Sequence, residues 1–317
     1  MTRYGYTLMC EQTQPRPLVR DASLAEQTGF DFAVISDHFH PWLDAEGSSP
    51  YAWTLLGAIA ERTERIDLMT MVTCPFLRYH PAIVAQAAAT VAMLSNDRFV
   101  LGLGAGENLN EHVVGKGWPP PAVRHEMLEE SVEITRRLWS GGEHSFHGHH
   151  LSLDRARLYS LPDSPPPIAI AAGAPHAARL AAAVGDALIT VDPSADLVRT
   201  YQGAGGDGPR YGQVAVCWAE DRDKAVRTAI DYQRFAVTGW SVMAELPTPE
   251  SFDAATRTVD EGDITGLIAC GPDPEDHVAA IQKYSDAGFD HIALLQVGPD
   301  QEGFLDFFQR VLRPRLA

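Results

Sequence analysis

Four short runs hold residue types able to move protons or to cradle a flat polar ligand. Ser36-Asp37-His38-Phe39-His40-Pro41-Trp42 sets a carboxylate, two imidazoles and an indole close together. They supply a hydrogen-bond acceptor, a group titrating near neutrality and a stacking face. Read alone, the run is equally a loop whose Asp caps a turn and whose Trp fills a gap. Met71-Val72-Thr73-Cys74-Pro75 is an apolar run meeting a proline, which by itself marks only a strand end. Leu103-Gly104-Ala105-Gly106-Glu107-Asn108-Leu109-Asn110-Glu111 lets backbone approach a ligand closely and then presents Glu107. It is not a dinucleotide fingerprint, because Leu109 stands where a third glycine is required. Ala171-Ala172-Gly173-Ala174-Pro175 opens a helical stretch that continues through Ala183. Free N–H groups there could seat a phosphate, or Gly and Pro could simply cap the helix.

A metal site is not expected. His144, His147, His149 and His150 are irregularly spaced, and no carboxylate or thiol completes a ligand set. No phosphate-loop lysine, zinc-protease helix or serine elbow occurs in the chain.

These runs need a scaffold, and the hydrophobic pattern describes one. Short apolar, β-rich stretches recur at Tyr4–Met9, Phe32–Ser36, Ile66–Val72, Phe99–Gly104, Ile168–Ala172, Ala187–Thr190, Gln213–Trp218 and His291–Gln296. Several lack alternation, as expected of parallel strands covered on both faces. Helical spacing separates them: Leu128, Val132, Thr135 and Trp139 follow one face, and Pro81 stands at a helix start, where a missing N–H costs nothing. Eight strands interleaved with helices predict a closed α/β barrel, the (β/α)₈ or TIM fold, as one domain over 1–317. A doubly wound open sheet is the alternative. Two insertions break the rhythm, at 141–167 and 240–270, and both are expected to cover the catalytic mouth. The chemistry-bearing runs then follow the second, third, fourth and fifth strands, at the end where barrel enzymes work.

Composition excludes some partners. The chain has 317 residues, 45% hydrophobic, with 25 Lys and Arg against 42 Asp and Glu, a net charge of −17. Such acidity repels phosphate backbones and anionic lipids, so no nucleic-acid or membrane partner is expected. No signal peptide is evident and no apolar run reaches the ~18 residues of a membrane helix, which predicts a cytoplasmic protein. Cys10, Cys74, Cys217 and Cys270 lie far apart and read as buried thiols rather than disulfides or zinc ligands.

Taken together, SDHFHPW, ERT, RYHPAIVAQAAAT, GLGAGENLNE and AAGAPHAARLA resemble the F420-dependent glucose-6-phosphate dehydrogenase group of the luciferase-like superfamily. The likeness covers almost the whole chain, thins over roughly 190–270 and returns at the end. It implies a luciferase-like (β/α)₈ barrel, coenzyme F420 and a homodimer. It also implies roles. Asp37, Ala105 and Gly106 would touch the deazaflavin, and Met71–Val72 would form a non-proline cis peptide behind the ring, with Cys74 close by. Asn110 and the Gly173–Ala174 turn would seat the cofactor's polar chain and phosphate. His38 would remove the substrate hydroxyl proton, Glu107 would protonate the ring at N1, and Trp42 would wall the pocket.

The resemblance has a gap. Sugar-phosphate members clamp their substrate with lysines and an arginine from later loops, where this chain reads TVDPSADL, ELPTPESFD and GDITGLIACG. None of these contains a cation, so a small unphosphorylated alcohol, carbonyl or unsaturated compound is the expected substrate. The alternatives are a sugar-phosphate dehydrogenase with its clamp rebuilt from Arg78, Arg155 or Arg157, a luciferase-like monooxygenase using FMN, and a non-catalytic deazaflavin carrier. A carrier would need neither His38 nor Glu107.

Overall fold

A computed structural model describes residues 2–316. Among the described residues are eleven strands: β1 (Arg3–Leu8), β2 (Phe32–Ile35), β3 (Asp67–Thr70), β4 (Phe99–Leu103), β5 (His144–His147), β6 (Ser152–Ala156), β7 (Ile168–Ala171), β8 (Ala187–Thr190), β9 (Arg210–Cys217), β10 (Ala269–Cys270) and β11 (His291–Gln296). Parallel pairing runs β9-β11-β1-β2-β3-β4-β7-β8 and returns from β8 to β9. The sheet therefore closes on itself, and the open-sheet alternative is excluded. Both β2 and β8 are buried along their whole length, which explains their unbroken apolar pattern.

Inside the barrel, Phe32, Val34, Met69, Ala169, Ala187, Ile189, Tyr211 and Ala293 pack together. A larger apolar layer joins the outer faces of the strands to the helices. The helix Pro81–Leu94 begins on Pro81 as expected, and the His80 ring accepts from the Ala82 N–H at 3.2 Å. Leu128, Val132, Thr135 and Trp139 are buried along the helix Pro121–Trp139.

The two insertions differ in place. Hairpin β5–β6 joins the C-terminal end of the helix Pro121–Trp139 to the start of β7, and so leaves from the strands' N-terminal end. It climbs the outside of that helix, where Glu130 accepts from the N–H groups of His149, His150 and Leu151. The expectation that 141–167 covers the mouth is corrected: the hairpin reaches the mouth end from outside, where the Ser152 carbonyl lies 3.0 Å from His80 Nε2 at the start of the helix Pro81–Leu94, and packs against the outer helices instead of spanning the opening. The second insertion does lie at the mouth. It begins earlier than expected, with the helix Arg222–Gln233 just after β9, and returns through β10, which pairs with β9 at Cys217.

Between β3 and β4 the ladder is broken locally. Pairing stops at Met69–Val100; the Thr70 hydroxyl then donates to the Gly102 carbonyl (2.8 Å) and accepts from its N–H (3.0 Å). The chain re-pairs only at Thr73, whose N–H reaches the same carbonyl. Between these points lies the expected non-proline cis peptide, Met71–Val72. A Cβ on Gly102 would land on the Thr70 carbonyl oxygen. Gly102→Ala is expected to cost about 3 kcal/mol or more in chemical denaturation. Gly203→Ala, where nothing lies within 4 Å, should be neutral or stabilising by up to about 1 kcal/mol. A loss below about 1 kcal/mol at Gly102 would contradict this account of the break.

Candidate active site

The register Leu8↔Ile35 lays the ends of β1 and β2 side by side, so residues 9–11 and 36–38 leave the barrel together. Glu11, which sequence reading passed over, is fully buried there. The Ser36 hydroxyl donates to Glu11 Oε2 at 2.8 Å and accepts from the Cys10 N–H at 3.1 Å. Glu11 Oε1 lies 2.7 Å from His38 Nδ1. Burial would lower the imidazole's pKa, but the charge and hydrogen bond of Glu11, with the charge of Glu107, raise it to about 9. The Glu11 carboxyl is lowered in turn: burial opposes this, and the charge and hydrogen bond of His38 outweigh it. With Nδ1 engaged, His38 Nε2 is the free ring nitrogen, 4.0 Å from Glu107 Oε2.

Glu107 arrives from the end of β4. Gly106 precedes it at φ +77°, a left-handed conformation that glycine adopts without strain. A Cβ there would stand 2.8 Å from Cys74 Sγ, so Cys74 and Gly106 pack in direct apposition. Asn110 is buried beneath; its Nδ2 donates to Glu107 Oε2 (3.2 Å) and its Oδ1 accepts from the N–H groups of Phe39 and His40. One amide side chain thus ties Glu107 to the loop that carries His38. Trp42 meets the His38 ring edge-on at 5.1 Å and stacks on Phe235 at 4.8 Å. His40 instead stacks with His112.

His38, Trp42 and Glu107 therefore converge, with Ala105, Gly106 and Cys74 on the same side. Asp37 and Asn110 lie next to them, each with protein partners of its own. The Asp37 carboxylate is occupied: Oδ2 accepts from Thr73 Oγ1 (2.7 Å), and Oδ1 from Tyr79 OH (2.9 Å) and Arg78 Nη2 (3.2 Å). It anchors the loops beneath the mouth. Arg78 also reaches Glu111, whose pKa is raised to about 7 by burial despite the guanidinium. Arg78 is thus committed to two carboxylates and is not a free phosphate clamp. Arg155 pairs with Glu143 and Arg157 lies over Tyr159, both beyond the mouth with hairpin β5–β6. The Gly173–Ala174 turn is exposed at the start of the helix Pro175–Val184, with Trp240 of the second insertion lying against Gly173. Small residues, exposed backbone at a helix start and a flat aromatic rim fit a planar cofactor with an anionic tail. No group of three His, Cys, Asp or Glu able to hold a metal occurs among the described residues.

Glu11 and Tyr79 are the residues missed from sequence, and Arg78 was weighed only as a phosphate clamp. The signal for Glu11 was its position just past the first strand; the pairing of Arg78 and Tyr79 with Asp37 had none, because Asp37 is distant in sequence.

The chain matches the luciferase-like monooxygenase family model over residues 2–291. It is 35% identical to the F420-dependent glucose-6-phosphate dehydrogenase of Amycolatopsis mediterranei (strain U-32), covering 100% of this chain and 99% of the relative. Among solved structures, an F420-dependent secondary alcohol dehydrogenase in complex with an F420-acetone adduct superposes with a TM-score of 0.92 at 31% identity, over 100% and 99% of the two chains. The coenzyme F420 dependent tetrahydromethanopterin reductase from Methanopyrus kandleri shares the fold, with a TM-score of 0.81 at 19% identity over 100% and 99%. The chain belongs to the luciferase-like monooxygenase family, in the F420-dependent dehydrogenase group that its sequence resembles.

Proposed function

We infer that the chain is an F420-dependent oxidoreductase that interconverts an alcohol and its carbonyl compound. The observation that carries this reading is the approach of two proton-transfer groups, His38 Nε2 and Glu107 Oε2, to 4.0 Å in a barrel of this family. Bound at the mouth, the deazaflavin supplies a two-electron hydride acceptor or donor. The protein does the rest. Gly106, Cys74 and the Met71–Val72 peptide would hold the ring, and Gly173–Ala174 the phosphate. His38 would exchange the substrate hydroxyl proton at Nε2 while Glu11 fixes the ring through Nδ1. Glu107 would hold the proton for the cofactor nitrogen, and Trp42 would shut out water. FMN is set aside, because the relatives above 30% identity named here are F420-dependent.

Two substrate classes have support. The names of the curated relatives favour glucose 6-phosphate over the unphosphorylated substrate expected from the sequence. A neutral secondary alcohol is the second reading. It is supported by the solved neighbour and by the commitment of Arg78 to Asp37 and Glu111 and of Arg124 to Glu245. An F420 fluorescence titration followed by a bleaching assay on glucose 6-phosphate, glucose and propan-2-ol separates the two. A specificity constant about tenfold higher for one of them assigns the class. On the better substrate, His38→Ala and Glu107→Gln are each expected to lower turnover about 100-fold or more. Wild-type turnover in both variants would overturn the reading.

The pH profile carries its own sign. His38 must be neutral to accept a proton, so kcat/KM for alcohol oxidation should rise with pH toward about 9. Carbonyl reduction, which uses the protonated ring, should fall through the same range. Glu11→Gln removes the charge that holds the imidazolium and should move both midpoints down toward about 6.5. Unmoved midpoints would contradict the pairing.

The resemblance also implies a homodimer. We propose that the helix Pro81–Leu94, which exposes Ile83 (54%) in its first turn and Met93 and Leu94 in its last, faces the second copy. Sedimentation velocity should show a dimer that Ile83→Glu dissociates; a wild-type monomer throughout would contradict this. Four buried free thiols are consistent with the reducing cytoplasm as its compartment.

A further inference from the structure

The backbone before Glu107 is held from the helix Pro121–Trp139 and the backbone after it from the second insertion, and one carboxylate ties the two holds together. On the near side, the Gly106 carbonyl accepts from Arg124 Nη1 at 3.3 Å. On the far side, the Asn108 N–H donates to the Ala244 carbonyl at 3.0 Å, and Asn108 Nδ2 to the Glu245 carbonyl at 3.0 Å. The Glu245 side chain closes the arrangement: Oε1 accepts from Arg124 Nη2 at 2.7 Å and Oε2 from Trp118 Nε1 at 2.9 Å. The Arg124 guanidinium lies over the Trp118 ring at 4.0 Å. Three separate stretches of chain (the turn after β4, the Trp118 loop and the insertion) thus meet at one ion pair.

The energetics favour a firm hold. Arg124 is almost wholly buried, and Glu245 is the one carboxylate paired with it among the described residues. Glu245 is itself 47% exposed, so its charge is screened on the solvent side and the hold comes from the hydrogen bonds it shares with Arg124 and Trp118 more than from the Coulomb energy of the pair. The same short segment does two more things. Trp240 lies against Gly173, and Met243 and Leu246 pack on the cluster formed by Trp42, Phe235 and Phe252. The cofactor seat, the Trp42 wall and Glu107 are therefore referenced to one piece of chain.

We propose that Glu245 is a positioning residue for proton transfer at Glu107, acting from the insertion through Arg124, Trp118 and Asn108. The proposal rests on the reading of Glu107 as the acid. Glu245 touches neither His38 nor Glu107; its effect is on where the Glu107 backbone stands. Displacement of a proton donor by a fraction of an ångström is enough to slow a reaction without weakening binding.

The test compares Glu245→Ala, Glu245→Gln and Glu107→Gln in the full-length enzyme with F420 and the better of glucose 6-phosphate and propan-2-ol. Glu245→Ala is expected to lower kcat about 10- to 100-fold, with KM and the F420 dissociation constant within about threefold. Glu245→Gln keeps one acceptor for Arg124 and should fall between wild type and Ala. In the cofactor-free protein, hydrogen exchange of the peptide spanning Gly106–Glu111 should quicken in Glu245→Ala, while β1 stays protected. A Glu245→Ala enzyme with wild-type kcat and unchanged exchange overturns the proposal. So does a loss of kcat that Gln does not relieve and that accompanies a lowered unfolding midpoint, since that is general destabilisation. If Glu107→Gln retains wild-type turnover, the acid assignment fails instead, and the exchange measurement still decides whether Glu245 holds the turn.

Discussion

A carboxylate with no exposed surface stands 2.7 Å from an imidazole at the end of the barrel, and the site is organised around that pair. A lone charge at Glu11 would be too costly to bury; the ring of His38 and the hydroxyl of Ser36 make it tolerable. In return the pair fixes the ring's orientation and leaves Nε2 facing the mouth. This geometry is available only because β1 and β2 are neighbours in register, so that the fold places the two groups rather than a flexible loop. Glu46, buried nearby and raised to about 8 by burial and by the charge of Glu11, accepts from the Leu43 N–H and braces the loop carrying Trp42.

A second layer holds the first. Asp37, next to His38 in sequence, spends its carboxylate on Thr73, Tyr79 and Arg78, pinning the β2 loop to the chain that follows β3. Asn110 pins the same loop to the turn after β4. With Ser36 joined to Cys10 and Glu11 after β1, four consecutive strand ends are cross-linked by hydrogen bonds. The mouth can be shaped for a flat ligand because the polar groups beneath it already have partners.

The strands were legible in sequence because parallel barrel strands are buried on both faces, and β2, β8 and β11 fall within a residue or so of their expected bounds. β9 starts earlier than expected, at Arg210, because Arg210, Tyr211 and Gly212 are drawn into the sheet by pairing with Leu188–Thr190. His38, Trp42 and Glu107 were legible because each follows a strand end directly. Asp37 and Asn110 were found as residues, and their protein partners were not. A carboxylate beside a reactive histidine looks the same in sequence whether it faces a ligand or Arg78. Hairpin β5–β6 was recognised and misplaced: the order helix, hairpin, strand roots it at the strands' N-terminal end, from which it climbs the outside of the helices.

The measurement that bears most directly on this account is an NMR titration of the His38 ring nitrogens in the unliganded wild-type protein. A midpoint near 9, with the Nδ1 proton slow to exchange with solvent, is predicted by the buried partnership with Glu11. A midpoint at or below that of a free imidazole would mean that the carboxylate does not hold the ring, and the proposed roles of His38 and Glu11 would fall together.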